Sequence, residues 1–227
     1  MKKSVCEVSM RAEEFIMHER DRCDCYRLLA ACFYPPKKEL FLQEHLFKNL
    51  AELLRRICPE AAVHAAAMEE AVARYGDEEL LVEYARLFVG PYELQAPPYG
   101  SVYLDEGRRV MADSTVETVK MYREEGLSMD EDFNEMPDHI TAELEFMYYL
   151  AFKEVNALER DNIEIGRQLA DKQLSFLKKF LGVWASRFCE SMKEGTGNTF
   201  YRSLADCLAV FIRSELRGNN VAKLPKI

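Results

Sequence analysis

The stretch Pro137-Asp138-His139-Ile140-Thr141-Ala142-Glu143-Leu144-Glu145-Phe146-Met147 begins with a break and continues as an apolar helix. Pro137 has no N–H and a fixed φ, which suits a helix start. Asp138 follows, where a carboxylate can accept the unpaired N–H groups of a first turn and face the positive end of the dipole. Ile140, Leu144, Met147, Tyr148, Ala151 and Val155 then recur at helical spacing, and Phe146, Tyr149, Leu150 and Phe152 fill the other side. A helix apolar nearly all round belongs in an interior, so this one is expected at the centre of the fold. Its polar residues gather at its start: Asp138, His139 and Glu143, the last two four apart and on one face.

Outward from this helix, the remaining periodic segments are helical as well. Towards the N-terminus, the pattern predicts a helix from about Met10 to Phe33 with Ser9 as cap, in which Arg22 interrupts an otherwise apolar stripe, and Pro35-Pro36 stops it. A second helix is expected over Glu39–Ile57. Pro59 opens a third that ends at Tyr75-Gly76, and Asp77 caps a fourth carrying Leu80, Leu81, Tyr84, Leu87 and Phe88. Ser114-Thr115-Val116-Glu117 fits a capping box and starts another. Beyond the central helix come a long helix containing Leu169, Phe176, Phe180, Trp184 and Phe188, a break at Gly195–Asn198, and a last helix from Phe200 that Gly218 closes. No alternating strand pattern, internal repeat or low-complexity segment is found. The expected architecture is all-α: one domain over residues 1–227 of about eight or more helices, or two helical lobes joined by a hinge at 128–136, with a loose tail at 219–227. The hinge is expected from Ser128–Glu135, which is short, acidic and non-periodic; such a connection would also allow two copies to exchange halves.

One segment resists the helical reading. Gly90-Pro91-Tyr92-Glu93-Leu94-Gln95-Ala96-Pro97-Pro98-Tyr99-Gly100-Ser101-Val102-Tyr103 holds three prolines and two glycines, and proline forces extended geometry on the residue before it. It is also rich in tyrosine, unlike a solvated loop, so it either packs over a core or lines a site.

Composition limits the function classes. The 227 residues are 48% hydrophobic and 30% charged, which describes a folded protein. A formal net charge of -9 argues against a nucleic-acid partner and permits a basic one. Met1-Lys2-Lys3 is not followed by an apolar stretch, so no secretory signal is expected, and no apolar run approaches the roughly 20 residues of a membrane span. Seven cysteines at 6, 23, 25, 32, 58, 189 and 207 form no paired framework and read as reduced thiols. Metal chemistry finds little support: no Glu precedes any of the four histidines by three residues, and no His-Glu-x-x-His is present. Nor is there a Gly-x-Ser-x-Gly elbow or a phosphate-binding Gly-x-x-x-x-Gly-Lys loop. What remains is Asp138 beside His139. The pair is suited to acid–base work, to anchoring a ligand at a helix start, or simply to capping. As an exposed imidazole, His139 would titrate near 6.5.

Three blocks together resemble a known family. Tyr84-Ala85-Arg86-Leu87-Phe88-Val89-Gly90-Pro91, Ala96-Pro97-Pro98-Tyr99-Gly100-Ser101-Val102-Tyr103, and Pro137-Asp138-His139 with Glu143-Leu144-Glu145-Phe146-Met147 are similar to the signature of the TorD/DmsD/NarJ group, and Phe176-Leu177-x-x-Phe180-Leu181-x-x-Trp184 and Phe200-Tyr201-x-x-Leu204 fit it too. The resemblance implies an all-helical cytoplasmic chaperone without catalytic turnover; no cofactor or metal of its own is expected from the residues, and binding of guanine nucleotide or of the molybdopterin cofactor is left open. Its partner would be the precursor of a molybdenum-containing oxidoreductase, recognised by its twin-arginine signal peptide and held until its molybdopterin cofactor is inserted. No nucleic acid and no stable membrane insertion are implied; the assembly would be a monomer or a domain-swapped homodimer. Mapped onto this chain, the signal-binding residues are Asp138, His139, Tyr84, Phe88, Pro97, Pro98, Tyr99 and Tyr103, with Glu143 on the same helix face. Gly100, Phe180 and Tyr99 stand where the family often has Glu, His and Trp, which leaves the client's identity open. The competing readings are a small helical hydrolase using Asp138, His139 and Glu143, and a helical adaptor.

Overall fold

The computed structural model describes residues 5–90, 94–129 and 134–218, with side chains from residue 12 onward. Tyr92, the acidic residues 130–132 of the expected hinge and the tail 219–227 lie outside the described residues.

The chain is built of helices: α1 (Val5–Ala31), α2 (Lys38–Gln43), α3 (Leu46–Ile57), α4 (Pro59–Val72), α5 (Asp77–Tyr84), a π turn (Ala85–Val89), α6 (Gly100–Leu104), α7 (Asp113–Glu124), α8 (Ile140–Glu159), α9 (Ile163–Lys179), α10 (Leu181–Gly195) and α11 (Thr199–Arg217). Among the described residues the only extended pairing is one antiparallel bridge, Tyr99 to His139. As its sequence requires, α8 is central: α1 and α9 pack along it, and α10 meets it at its start. α11 lies on α4, which packs on α3, and α3 returns to α1. The core between them holds Tyr26, Phe33, Phe47, Phe176, Trp184, Phe188, Phe200, Tyr201 and Phe211.

Local chemistry moves several expected boundaries. Ser9 lies inside α1 and does not cap it. The expected Glu39–Ile57 helix is two helices, split where His45 adopts a left-handed φ of 49°. The long C-terminal helix is also two, parted at Phe180. There Gly182 lets the chain double back tightly, since a Cβ at that position would sit 2.4 Å from the Leu177 carbonyl oxygen. α7 begins one residue before the expected box, and the Ser114 hydroxyl donates to Asp105 instead of capping.

Arg22, the polar interruption of the α1 stripe, is buried because four partners receive it. Its guanidinium donates to Glu19, Glu154, Glu215 and Gln173 at 2.6–3.1 Å, which ties α1 to α8, α9 and α11.

Candidate functional site

The start of α8 and the Pro98–Tyr103 segment form one unit. Proline at 97 and 98 keeps the preceding backbone extended, so the chain runs alongside residues 138–140 instead of coiling. The Ile140 N–H donates to the Pro98 carbonyl, and the Gly100 N–H to the Asp138 carbonyl, both at 2.8 Å. The Ser101 N–H, an unpaired first-turn donor of α6, donates to the Asp138 carboxylate at 2.7 Å. Asp138 therefore caps the neighbouring helix α6, not its own helix, as the sequence suggested. The cap of α8 is His139, whose Nδ1 accepts the Thr141 N–H at 3.2 Å.

Beneath this unit lies Trp184 of α10. Its indole N–H donates to Glu143 at 2.9 Å, and Tyr103 stacks on its ring at 5.6 Å between centroids. Gly100 threads between the two: a Cβ there would lie 3.0 Å from the indole nitrogen and 3.1 Å from the second Glu143 oxygen.

Burial sets the charge states. Enclosure lowers the His139 imidazole to about 4, so it is neutral near pH 7 and does not titrate near 6.5 in the free protein. Enclosure also raises the Glu143 carboxyl well above its ordinary range; the Trp184 hydrogen bond opposes this and the Asp138 charge adds to it. Glu143 thus resists ionisation where it lies buried under the segment. For the hydrolase alternative, this geometry gives no exposed acid–base pair: Asp138 is 1% exposed and His139 4%, Glu143 is fully enclosed, and each is engaged by backbone or indole.

The expected site residues separate into two layers. Asp138, His139, Glu143 and Pro98 are buried scaffold. Tyr84 and Phe88 are buried too, in an aromatic cluster with Phe33, Phe188 and Tyr201, and the Tyr84 hydroxyl donates to the Phe33 carbonyl at 3.1 Å. The π turn makes this possible by pointing both Leu87 and Phe88 inward while Arg86 and Val89 stay exposed. Tyr103 bridges the two groups through Trp184 and Phe188. Pro97, Tyr99 and Tyr103 are half-buried, and Tyr103 turns its ring and hydroxyl inward onto Trp184 and Phe188.

The outer layer includes Glu135, the end of the acidic stretch before Pro137, and Glu145, for which the sequence indicated no role. The Tyr99 hydroxyl donates to Glu135 at 2.7 Å, and its ring meets His139 edge-on at 5.4 Å. The Tyr34 hydroxyl donates to Glu145 at 2.7 Å. Burial, then the Glu135 charge, pushes the Tyr84 phenol up to about 12. The outcome is an aromatic rim with two carboxylates: Tyr99, on the segment fixed from below, meets Glu135, and Tyr34, just past α1, meets Glu145 of α8. Glu145 was visible only as a polar residue on α8, and Tyr34 only as the residue before Pro35-Pro36; their pairing across 111 residues leaves no local signal.

Residues 48–190 match the family model described as nitrate reductase delta subunit. The chain is 34% identical over 181 residues to the Tat proofreading chaperone DmsD of Salmonella typhi, covering 78% of this chain and 80% of that protein. It is 27% identical over 139 residues to the chaperone protein TorD of Aliivibrio salmonicida, covering 61% and 63%.

Proposed function

The chain belongs to the TorD/DmsD/NarJ family, and from that premise we propose that it is a cytoplasmic chaperone, not an enzyme, that binds the twin-arginine signal peptide of a molybdenum-containing oxidoreductase precursor and assists its cofactor insertion and folding before export. A signal of this kind presents two adjacent arginines ahead of an apolar run. The observation that carries the reading is the rim: Glu135 accepts from Tyr99, which stands on the segment pinned by Asp138, and Glu145 accepts from Tyr34. Carboxylates receive guanidinium groups with paired, charge-assisted hydrogen bonds, and the tyrosines offer apolar faces to the residues that follow. The net charge of -9 draws a basic peptide towards the chain.

The buried residues support this role indirectly. Asp138, His139 and Glu143 position the segment; Tyr84, Phe88, Pro98 and Tyr103 form its floor; Pro97 and Tyr99 meet the peptide. Covering about 500 Å² of apolar surface would contribute about 12 kcal/mol gross. Association and ordering take back several kcal/mol, leaving affinity of about micromolar or somewhat tighter, which suits a client that must be released.

Calorimetry with a synthetic twin-arginine signal peptide tests the reading. Binding of the Arg-Arg peptide, with the Lys-Lys variant at least several-fold weaker, is expected because an ammonium cannot reproduce the guanidinium fork. Equal binding of both peptides, or of neither, would remove the rim as a twin-arginine receptor.

A further inference from the structure

The loop from Asp105 to Ala112 joins α6 to α7, and its Arg108 charge bears on the Tyr103 phenol of the site. It carries Arg108-Arg109-Val110-Met111-Ala112, two adjacent arginines followed by three apolar residues. Arg108 and Arg109 are exposed, as are Val110 at 48% and Met111 at 65%. Neither guanidinium makes a hydrogen bond or ion pair among the described residues, and in the same chain neither reaches Glu135 or Glu145, which are bonded to Tyr99 and Tyr34. The chain's other adjacent arginines, Arg55 and Arg56, lie in α3, and Arg56 is held by both oxygens of Asp21 at 2.5 and 2.8 Å. That pair cannot be offered as a peptide.

The loop at 105–112 is held in an offered state. The Asp105 carboxylate accepts the Ser114 N–H and hydroxyl, closing its two ends. Between them Gly107, Arg108 and Met111 have φ of 83°, 49° and 59°, a region that arginine and methionine seldom adopt. The loop leaves α6 after Leu104, one residue past Tyr103, so it is anchored on the same scaffold as the rim.

We propose that this loop is a built-in mimic of a signal peptide: in a homodimer, Arg108-Arg109-Val110-Met111 of each copy occupies the rim of the other at Glu135, Glu145, Tyr99 and Tyr34, and an arriving client displaces it. The inference rests on the reading that the rim receives a twin-arginine signal. The two guanidinium groups would face the two carboxylates, and Val110 and the flexible Met111 thioether would lie on the tyrosine rings. A second copy is the partner that fits, because the loop repeats, in the same order, the chemistry of the rim's own ligand. Two loops entering two rims reciprocally also close a two-fold dimer with no open end. The consequence is that the empty rim stays covered until a client competes for it.

The test is sedimentation velocity on the full chain from about 1 μM to about 1 mM, the range in which weak self-association becomes visible. Wild type, the double variant Arg108→Lys/Arg109→Lys and the double variant Val110→Ser/Met111→Ser are run with and without the synthetic twin-arginine peptide. All four positions are exposed, so thermal melts should not move. The expected result is a rapidly exchanging wild-type dimer, weakened about tenfold or more by the lysine pair, weakened also by the serine pair, and dissociated by peptide. The lysine variant should bind the peptide at least as tightly as wild type. Wild type that stays monomeric yet binds peptide would overturn the mimic and leave the signal-peptide reading standing. A dimer indifferent to both variants, or one that survives saturating peptide, would overturn it as well. Failure of every form to bind peptide would overturn the signal-peptide reading and the mimic with it.

Discussion

His139 holds its helix only as a neutral ring, because Nδ1 must accept the Thr141 N–H. Its folded pKa is lowered from 6.5 to about 4 by burial. A lowered folded value means the stability is fully present above pH 6.5 and is lost as the pH falls through about 4. Across that window chemical denaturation should report a loss of about 3 kcal/mol, which His139→Asn, a non-titrating cap, should lack. Glu143 has the opposite sign. Its folded pKa is raised from 4.5, so its contribution is present below 4.5 and declines as the pH rises towards the folded value. Glu143→Gln imitates the neutral acid at every pH, so it should gain on wild type between pH 5 and 8 in paired melts; a constant difference across that range would mean Glu143 is ionised in the fold. Asp138 separates packing from binding in another way. Asp138→Asn retains an acceptor for the Ser101 N–H, whereas Asp138→Ala leaves that buried donor unpaired, at a cost of about 1–3 kcal/mol. Signal-peptide affinity should follow the same order, wild type and Asn close together and Ala weaker, since the carboxylate lies under the rim and not on it.

Helix periodicity made most elements legible, including the central place of α8, because a stripe that is apolar on every side can be satisfied only in an interior. The breaks at His45 and Phe180 were not legible: neither carries a Gly or Pro signal at the turn itself. Gly182, two residues past Phe180, was the available clue, but an isolated glycine in a helical pattern is ordinarily tolerated. In the structure it has a definite task, with the Leu177 carbonyl 2.4 Å from where a Cβ would stand. Gly182→Ala must therefore open the α9–α10 corner and should cost about 1–3 kcal/mol in denaturant melts, as overpacking does. The same substitution at Gly126, whose surroundings are open, tests only its φ of 78° and gives the reference for a purely backbone penalty. At the site, Asp138 and His139 were legible as a pair at a helix start, but which helix each serves depends on Ser101, 37 positions away, and no local pattern records that.

At the scale of the molecule, halves that meet at 128–136 do not pack as separate lobes. α1 lies on α8 and α4 on α11, so each half supplies one side of the same core. The Arg22 cluster joins them again, since its partners Glu154, Gln173 and Glu215 all come from beyond the connection. A dimer that exchanged α8–α11 between copies would remake all of these contacts across chains, but reaching it requires opening the core and leaving Arg22 and its carboxylates unpaired on the way. Removing one member of such a buried set costs about 3–5 kcal/mol, which adds to the far larger cost of opening the shared core. Exchange should therefore be very slow under native conditions. We predict that a swapped dimer, if formed by refolding at high concentration, persists for days on dilution and is not dissociated by signal peptide, because its rim residues remain as they are in the monomer. Size exclusion of refolded and never-unfolded protein, each diluted and followed over time, checks this. Rapid interconversion of the two forms in native buffer would mean that the halves separate without unfolding, contrary to a shared core.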